Sequence, residues 1–291
     1  MSIQGSLAVM RNAFSTASVG AKIPDGAVSF SLTERLATAA QETSPNGILT
    51  LALTPSLFDH YQVALNKNTP AVVGPPPVAA GTISFSPSET TLHDSDASSK
   101  TASNIDRFRL VSAAMRLTCI NGSETLNGWF EAIRVNCEYA DADVTSDGFV
   151  AIGSIEDDIV SSTNWAQSPS YVTGRLRDIG KHTFYLKNIN NHEFIPTNDA
   201  RKGLDPNYDI VLIRIHSIAV PGTDSAAQAQ QTAVHVHVVK NWELVYDAKS
   251  PLSRYHTSCP VWKAGVDNVK KAMARDPKAS MIRAASAYAY R

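Results

Sequence analysis

Apolar side chains recur at alternate positions along most of the chain, in short runs separated by turn-rich clusters. Almost none of these runs has helical period. The pattern predicts strands near Gly26–Leu36, Gly47–Leu53, Asp106–Ile120, Leu126–Cys137, Lys181–Lys187, Tyr208–Val220 and Gln231–Tyr246. One run, RFRLVSAAMRLTC, changes phase inside itself: Phe108 and Leu110 are apolar at even positions, whereas Val111, Ala113, Met115, Leu117 and Cys119 are odd. Successive strand side chains point to opposite faces, so the slip predicts a bulge or bend near Leu110 and Val111. Val111, Met115 and Leu117 are expected in the core, and Arg107 and Arg109 at an end or an interface.

Two segments read as helix. VWKAGVDNVKKAMARDPKAS places Val266, Val269 and Met273 at helical spacing until Asp276-Pro277 stops the pattern. SIEDDIVSSTN predicts a short helix with Ser154 as N-cap and Ile155 and Ile159 on one face. The final SMIRAASAYAYR reads as an extended or partly helical arm. Long strands with long irregular connections and no βαβ rhythm favour a sandwich or jelly roll over a barrel of short hairpins. Asn121-Gly122 reads as a hairpin turn. The Pro-rich connection between Asn68 and Asn104 reads as a surface excursion with a few strands of its own, around TISFS.

Composition changes this picture little. Charged residues, at 18%, are sparse against the usual quarter, which leaves a polar surface compatible with extensive protein contacts. The formal charge of −1 excludes a uniformly basic nucleic-acid binder, yet it conceals an uneven distribution. In Lys263–Arg291 seven basic residues face only Asp267 and Asp276, a pattern that fits either a polyanion-binding tail or a solvated helix. Cys119, Cys137 and Cys259 form no metal-ligand spacing and read as buried apolar residues of a reducing compartment. No run approaches the length of a membrane helix and the amino terminus lacks a signal-peptide pattern, so no membrane insertion and synthesis in the cytosol are expected.

Candidate chemistry is thin. His235 and His237 in HVHVVKNWE share a face with Glu243, and cupins hold a metal with a similar set. However, the strand between His237 and Glu243 spans roughly 20 Å without a turn, too far for one ion. No nucleophile elbow or phosphate loop is present. Asp141, Asp143, Asp147, Glu156, Asp157 and Asp158 are candidate ligands for Ca²⁺ at a subunit interface, although DADVTSDG lacks the spacing of a calcium loop. Trp129, Trp242 and Trp262 read as core aromatics. Trp165 and Tyr171 are the candidates for a carbohydrate-binding β-sandwich, the alternative reading from another class.

The order of segments resembles the single jelly-roll capsid proteins of small icosahedral viruses, nodavirus-like and bacilladnavirus-like. The similarity lies in the arginine-led RFRLVSAAMRLTC, the Gly-aromatic strand that follows it, GILTLALTP, YDIVLIRIHSIAV and VHVHVVKNWELVYD. It implies an all-β fold, an eight-stranded antiparallel jelly-roll sandwich with long loop insertions and a C-terminal helical or extended tail. The implied organisation is an N-terminal arm over 1–24, a shell domain over 25–247 with insertions at about 67–104 and 139–180, and a basic tail over 248–291.

The implied function is that of a non-enzymatic coat protein, resident in the virion, whose partners are copies of itself, a single-stranded DNA or RNA genome bound without sequence preference, and a host receptor. The sequence departs from the family in two places. Its first thirty residues hold only Arg11 and Lys22 as basic groups, where the family carries an Arg/Lys-rich arm, and the Asn-Ala bond at which nodavirus capsids cleave themselves is absent after Asn12-Ala13. Either a basic arm has been lost from this chain or the carboxy-terminal segment replaces it, and on the second reading genome contact is expected from Lys270, Lys271, Arg275, Lys278 and Arg283.

Overall fold

A computed structural model describes residues 3–15, 20–41, 48–57, 59–65, 84–87, 105–120, 128–136, 140–144, 150–155, 165–197, 204–217 and 233–274, with the backbone alone at 48, 64–65, 84–87, 140–144, 150–155, 217 and 274. The strands are β1 Val28–Gln41, β2 Ile48–Leu53, β3 Gln62–Leu65, β4 Ser84–Pro87, β5 Ile105–Cys119, β6 Gly128–Asn136, β7 Ala140–Val144, β8 Val150–Ile155, β9 Val172–Arg175, β10 Phe184–Tyr185, β11 Ile195–Pro196, β12 Asp209–Ser217, β13 Ala233–Tyr246 and β14 Thr257–Ser258. Among the described residues the two α-helices are α1 Ile3–Arg11 and α2 Lys263–Ala274.

One sheet has the order β10-β5-β13-β1-β14, with β11 also on β5, and the other β4-β3-β2-β12-β6-β9; β7 and β8 form a separate pair. Four strands of each sheet, β1-β13-β5-β10 and β2-β12-β6-β9, make an antiparallel jelly roll, with the chain passing from one sheet to the other between β1 and β2, β5 and β6, β9 and β10, and β12 and β13. The predicted fold class is therefore borne out. Two local readings are not. β5 and β6 lie in different sheets and do not pair with each other as the two arms of a hairpin, and Asn121-Gly122 between them lies outside the described residues. Ser154 lies in β8 and not at a helix N-cap, since VAIGSI pairs with β7. The predicted strand at Lys181–Lys187 shrinks to β10, preceded by a 3₁₀ turn over Leu176–Lys181.

The phase slip in β5 is a bulge. Trp242 on β13 pairs with Leu110 and its neighbour Asn241 with Ser112, so Val111 has no partner of its own. Before the bulge Phe108 and Leu110 face the sandwich core, and after it Ala113, Met115 and Leu117 do so. The extra residue restores parity, and one strand feeds the core along its whole length. The backbone groups around the bulge find partners on the segment before β12. The Leu110 amide donates to Asp205 Oδ2 at 2.9 Å, and the Tyr208 hydroxyl donates to the carbonyls of Leu110 at 2.8 Å and Val111 at 3.0 Å.

Val111 itself faces the other way. It joins Met10, Ile23, Val266 and Val269 in a second cluster on the outer face of the sheet, so the expectation that it enters the sandwich is corrected. Arg107 is exposed beside Asp106, as expected of a strand end, but Arg109 is buried beneath the outer layer and does not sit at an edge. In the opposite sheet the run IVLI, Ile210 to Ile213, is continuously apolar because both faces are covered: Val211 and Ile213 look inward, while Ile210 and Leu212 are buried on the other side.

Trp242→Ala, at the centre of the sandwich, is expected to cost about 3–5 kcal/mol, whereas Val28→Ala, at an exposed position, should stay within about 0.5 kcal/mol. Denaturant titration of the two variants checks the contrast.

Candidate functional site

The outer face of the first sheet carries a helical base. Helix α1 places Leu7 and Met10 on one side, and α2 meets them with Val266, Val269 and Met273 over Val111 and Ile23. The helix predicted at Val266, Val269 and Met273 is present. Helix α1 was not expected, because its residues read as an arm, yet Leu7 and Met10 at a spacing of three are a helical signal. Gly265 lets α2 begin against the Trp262 ring, since a Cβ there would stand 2.7 Å from it. The Trp262 amide donates to the Pro24 carbonyl at 2.8 Å, which fixes the start of the helix to the chain that enters β1. A cavity of about 20 Å³, large enough for a water, lies at this helix–sheet junction between Met10, Val111, Val269 and Met273.

Beneath the base lies an ionic network. Arg109 and Glu243 are register partners on β5 and β13, and Arg109 Nη2 stands 2.8 Å from Glu243 Oε2 with both side chains buried. The guanidinium also grips Asp25 through both of its terminal nitrogens, one contact measuring 3.1 Å, donates to the His192 carbonyl at 2.9 Å and lies 4.2 Å from the Phe194 ring centre. Glu243 accepts further bonds from Ser29 Oγ at 2.7 Å and from the Ile23 amide. Lys22 is buried next to them and donates to Thr257 Oγ1 at 2.9 Å. Burial lowers the Lys22 amine, with Glu243 pulling the other way. Burial also works to raise the Asp25 carboxyl, but the hydrogen bonds from Arg109 and the Ala27 amide outweigh it and hold Asp25 below its ordinary range.

This network also settles the histidine motif. Glu243 is committed to Arg109, His235 is exposed, and His237 packs edge-on against Phe14 with ring centres 5.0 Å apart. β13 runs unbroken from Ala233 to Tyr246, so the three groups do not converge. Among the described residues no set of three or more His, Cys, Asp or Glu side chains gathers as metal ligands. Asp141 and Asp143 lie in β7, while Asp147, Glu156, Asp157 and Asp158 lie outside the described residues.

The carbohydrate candidates are also placed. Trp165 is fully buried with the Arg214 guanidinium 4.2 Å over its ring, and half-buried Tyr171 donates to Glu131 Oε2 at 3.3 Å, so neither forms an exposed platform. Of the tryptophans read as core, only Trp242 is buried. Trp129 is 43% exposed and stacks on His216 at 4.4 Å, and Trp262 is 41% exposed.

Of the expected nucleic-acid residues, the structure places Lys270 and Lys271 on α2. Lys271 is exposed, and Lys270 is half-buried, with Nζ 3.3 Å from the Asn190 carbonyl oxygen to which it donates. Lys263 is exposed at the start of the same helix. Arg275, Lys278 and Arg283 lie outside the described residues.

Comparison with known proteins agrees with this architecture. The family model for the Shotokuvirus capsid protein matches residues 1–202 and 197–281. A capsid protein of Chaetoceros diatodnavirus 1 is 26% identical over 89% of this chain and 77% of its own, and one of Avon-Heathcote Estuary associated kieseladnavirus is 24% identical over 88% and 82%. Among solved structures, that of the T13 IBDV viral particle superposes with a TM-score of 0.53 over 93% of this chain and 92% of its own at 10% identity. An infectious bursal disease virus VP2 subviral particle gives 0.50 over 92% and 93%, also at 10% identity. At that identity the likeness is one of fold.

The network generates two expectations. Arg109→Met leaves Glu243 buried without its cation and should cost about 3–5 kcal/mol, and adding Glu243→Gln should recover part of it in a denaturant-based double-mutant cycle. Because the folded Asp25 carboxyl lies below its ordinary value of 3.8, its contribution is complete above that value and is lost as pH falls through the lower folded one. Asp25→Asn should accordingly flatten the acid limb of the stability–pH curve.

Proposed function

Since the chain belongs to the Shotokuvirus capsid protein family, we propose that it is a coat subunit which associates with copies of itself into an icosahedral shell around a single-stranded nucleic-acid genome, with the helical base turned inward. The docking of α2 carries the orientation. Burial of Val266 and Val269 leaves Lys263 and Lys271 in solvent with Lys270 at the margin, and the chain continues from there into Arg275, Lys278 and Arg283. Cations anchored to a rigid sheet attract phosphates through counterion release and read no base sequence. The surplus of basic over acidic residues in Lys263–Arg291 makes the carboxy-terminal segment the candidate for this role.

The fold it shares comes from a viral particle and a subviral particle, which supports assembly through symmetric and quasi-symmetric contacts. The low content of charged residues favours the same reading. The subunit works by binding rather than by catalysis, is made in the host cytosol and ends in the virion.

The test respects the fold. Because Val266 and Val269 belong to the base, removing α2 would damage the subunit as well as the charge. The informative variant ends at Ala274 and carries Lys270→Ala and Lys271→Ala. It is expected to form shells that protect less nucleic acid from nuclease. With isolated subunits and a single-stranded oligonucleotide, losing the two lysines should reduce the slope of log K against log salt by about 1.4, at about 0.7 per phosphate contact. Full packaging by this variant overturns the orientation. A strictly monomeric wild type, without particles at any salt or pH, overturns the coat-subunit reading.

A further inference from the structure

A second group of buried charges lies inside the sandwich, apart from the base. Lys240 on β13 faces inward, in phase with Val238 and Trp242, and its side chain is 0% exposed. Its Nζ donates to the Ser56 carbonyl at 2.9 Å and to the Asp59 carbonyl at 2.6 Å, and stands 3.8 Å from Asp59 Oδ1. Asp59 is 1% exposed and belongs to the connection from β2 to β3 in the opposite sheet. Its carboxylate is held in place by Thr54 Oγ1 at 2.9 Å and Gln62 Nε2 at 2.8 Å. Glu34 on β1 is the cross-strand partner of Lys240, is buried, and accepts the Trp242 indole N–H at 2.9 Å. An amine, a carboxyl and a second carboxyl are thus enclosed together in an apolar core, with the Trp242 ring centre 6.0 Å from Nζ.

We infer that Lys240 and Asp59 are the two ends of an intramolecular amide crosslink that ties the first sheet to the second, with Glu34 relaying protons. Buried ion pairs are costly because both ions lose their hydration. A neutral amide in the same place removes both charges from the core, and that is the driving force. Two groups held a few ångströms apart by separate sheets also have a high effective concentration.

The reaction is a condensation. Burial lowers the Lys240 amine against the opposing pull of Asp59 and Glu34, and burial raises the Glu34 carboxyl to about 7, with Lys240 and the Trp242 hydrogen bond opposing. Burial thus favours the neutral form of the amine and the protonated form of the relay. A proton passes from the Lys240 ammonium to the Asp59 carboxylate. The Nζ lone pair then attacks Asp59 Cγ, the C–N bond forms, and the carbonyl π pair moves onto oxygen. Glu34 takes the surplus proton from nitrogen on one oxygen and gives its own proton to the departing Asp59 hydroxyl. The C–O bond breaks and water leaves. Ammonium and carboxylate become amide and water, with no oxidant or cofactor required.

The primary measurement is the intact mass of the full chain, purified folded and then denatured. The expected species is lighter than the sequence mass by one water, and its peptide map contains a branched peptide joining Lys240 to Asp59. Lys240→Arg and Asp59→Ala should restore the full mass, and Glu34→Gln should slow the mass change after refolding. A folded wild type at full mass overturns the inference, and so does a water loss mapped elsewhere, for example to a succinimide at Asp147-Gly148. The wild-type mass and map decide the matter even where a variant fails to fold. They require no particle, so they stand or fall separately from the coat-subunit reading.

Discussion

β5 and β13 run side by side along nearly their whole length, and they serve two cores at once only because β5 holds one residue more than its partner at Val111. Without that residue, either Phe108 and Leu110 or Ala113, Met115 and Leu117 would turn away from the sandwich. The bulge also delivers Val111 to the outer face, where α1 and α2 close over it. Asp205 and Tyr208 satisfy its backbone from the opposite sheet's side, so the bulge links both sheets and the helical base. Burial raises the Asp205 carboxyl to about 6, against the amides of Leu110 and Asn207 that hydrogen-bond it, which reflects how fully the seam is sealed from water.

Burying both faces of a sheet leaves strand polar residues with no solvent to meet. Those in β13 show the two solutions available. Glu243, on the outer face, is paired with Arg109 and capped by Ser29 and the Ile23 amide beneath the base. Lys240, on the inner face, is held by carbonyls and by Asp59 between the sheets. Both arrangements join segments far apart in the chain. They make the location of α2, and hence of its lysines, a property of the whole sandwich rather than of the helix alone.

Much of the fold was legible. Strand identities followed from alternation, the bulge from the parity change at Leu110 and Val111, and α2 from the spacing of Val266, Val269 and Met273. The candidate site was legible only in its charges: Lys270 and Lys271 were named, but nothing in the sequence distinguished the base beneath them. Arg109 reads as lying at an end or an interface until Asp25, remote in the chain, is brought against it. Trp129 and Trp165 exchange their expected roles because alternation sets the side of a strand but not whether another segment covers that side.

The sequence by itself determined the class of fold, the position of the slip and the basic character of the end, since all three are set by local periodicity and composition. Tertiary structure decided which face each strand buried, that the amino-terminal residues form a helix under the sheet, and that Lys240, Asp59 and Glu34 share one enclosed space. Those outcomes depend on contacts between distant segments, and pairing energy across a sheet leaves no periodic trace in either partner.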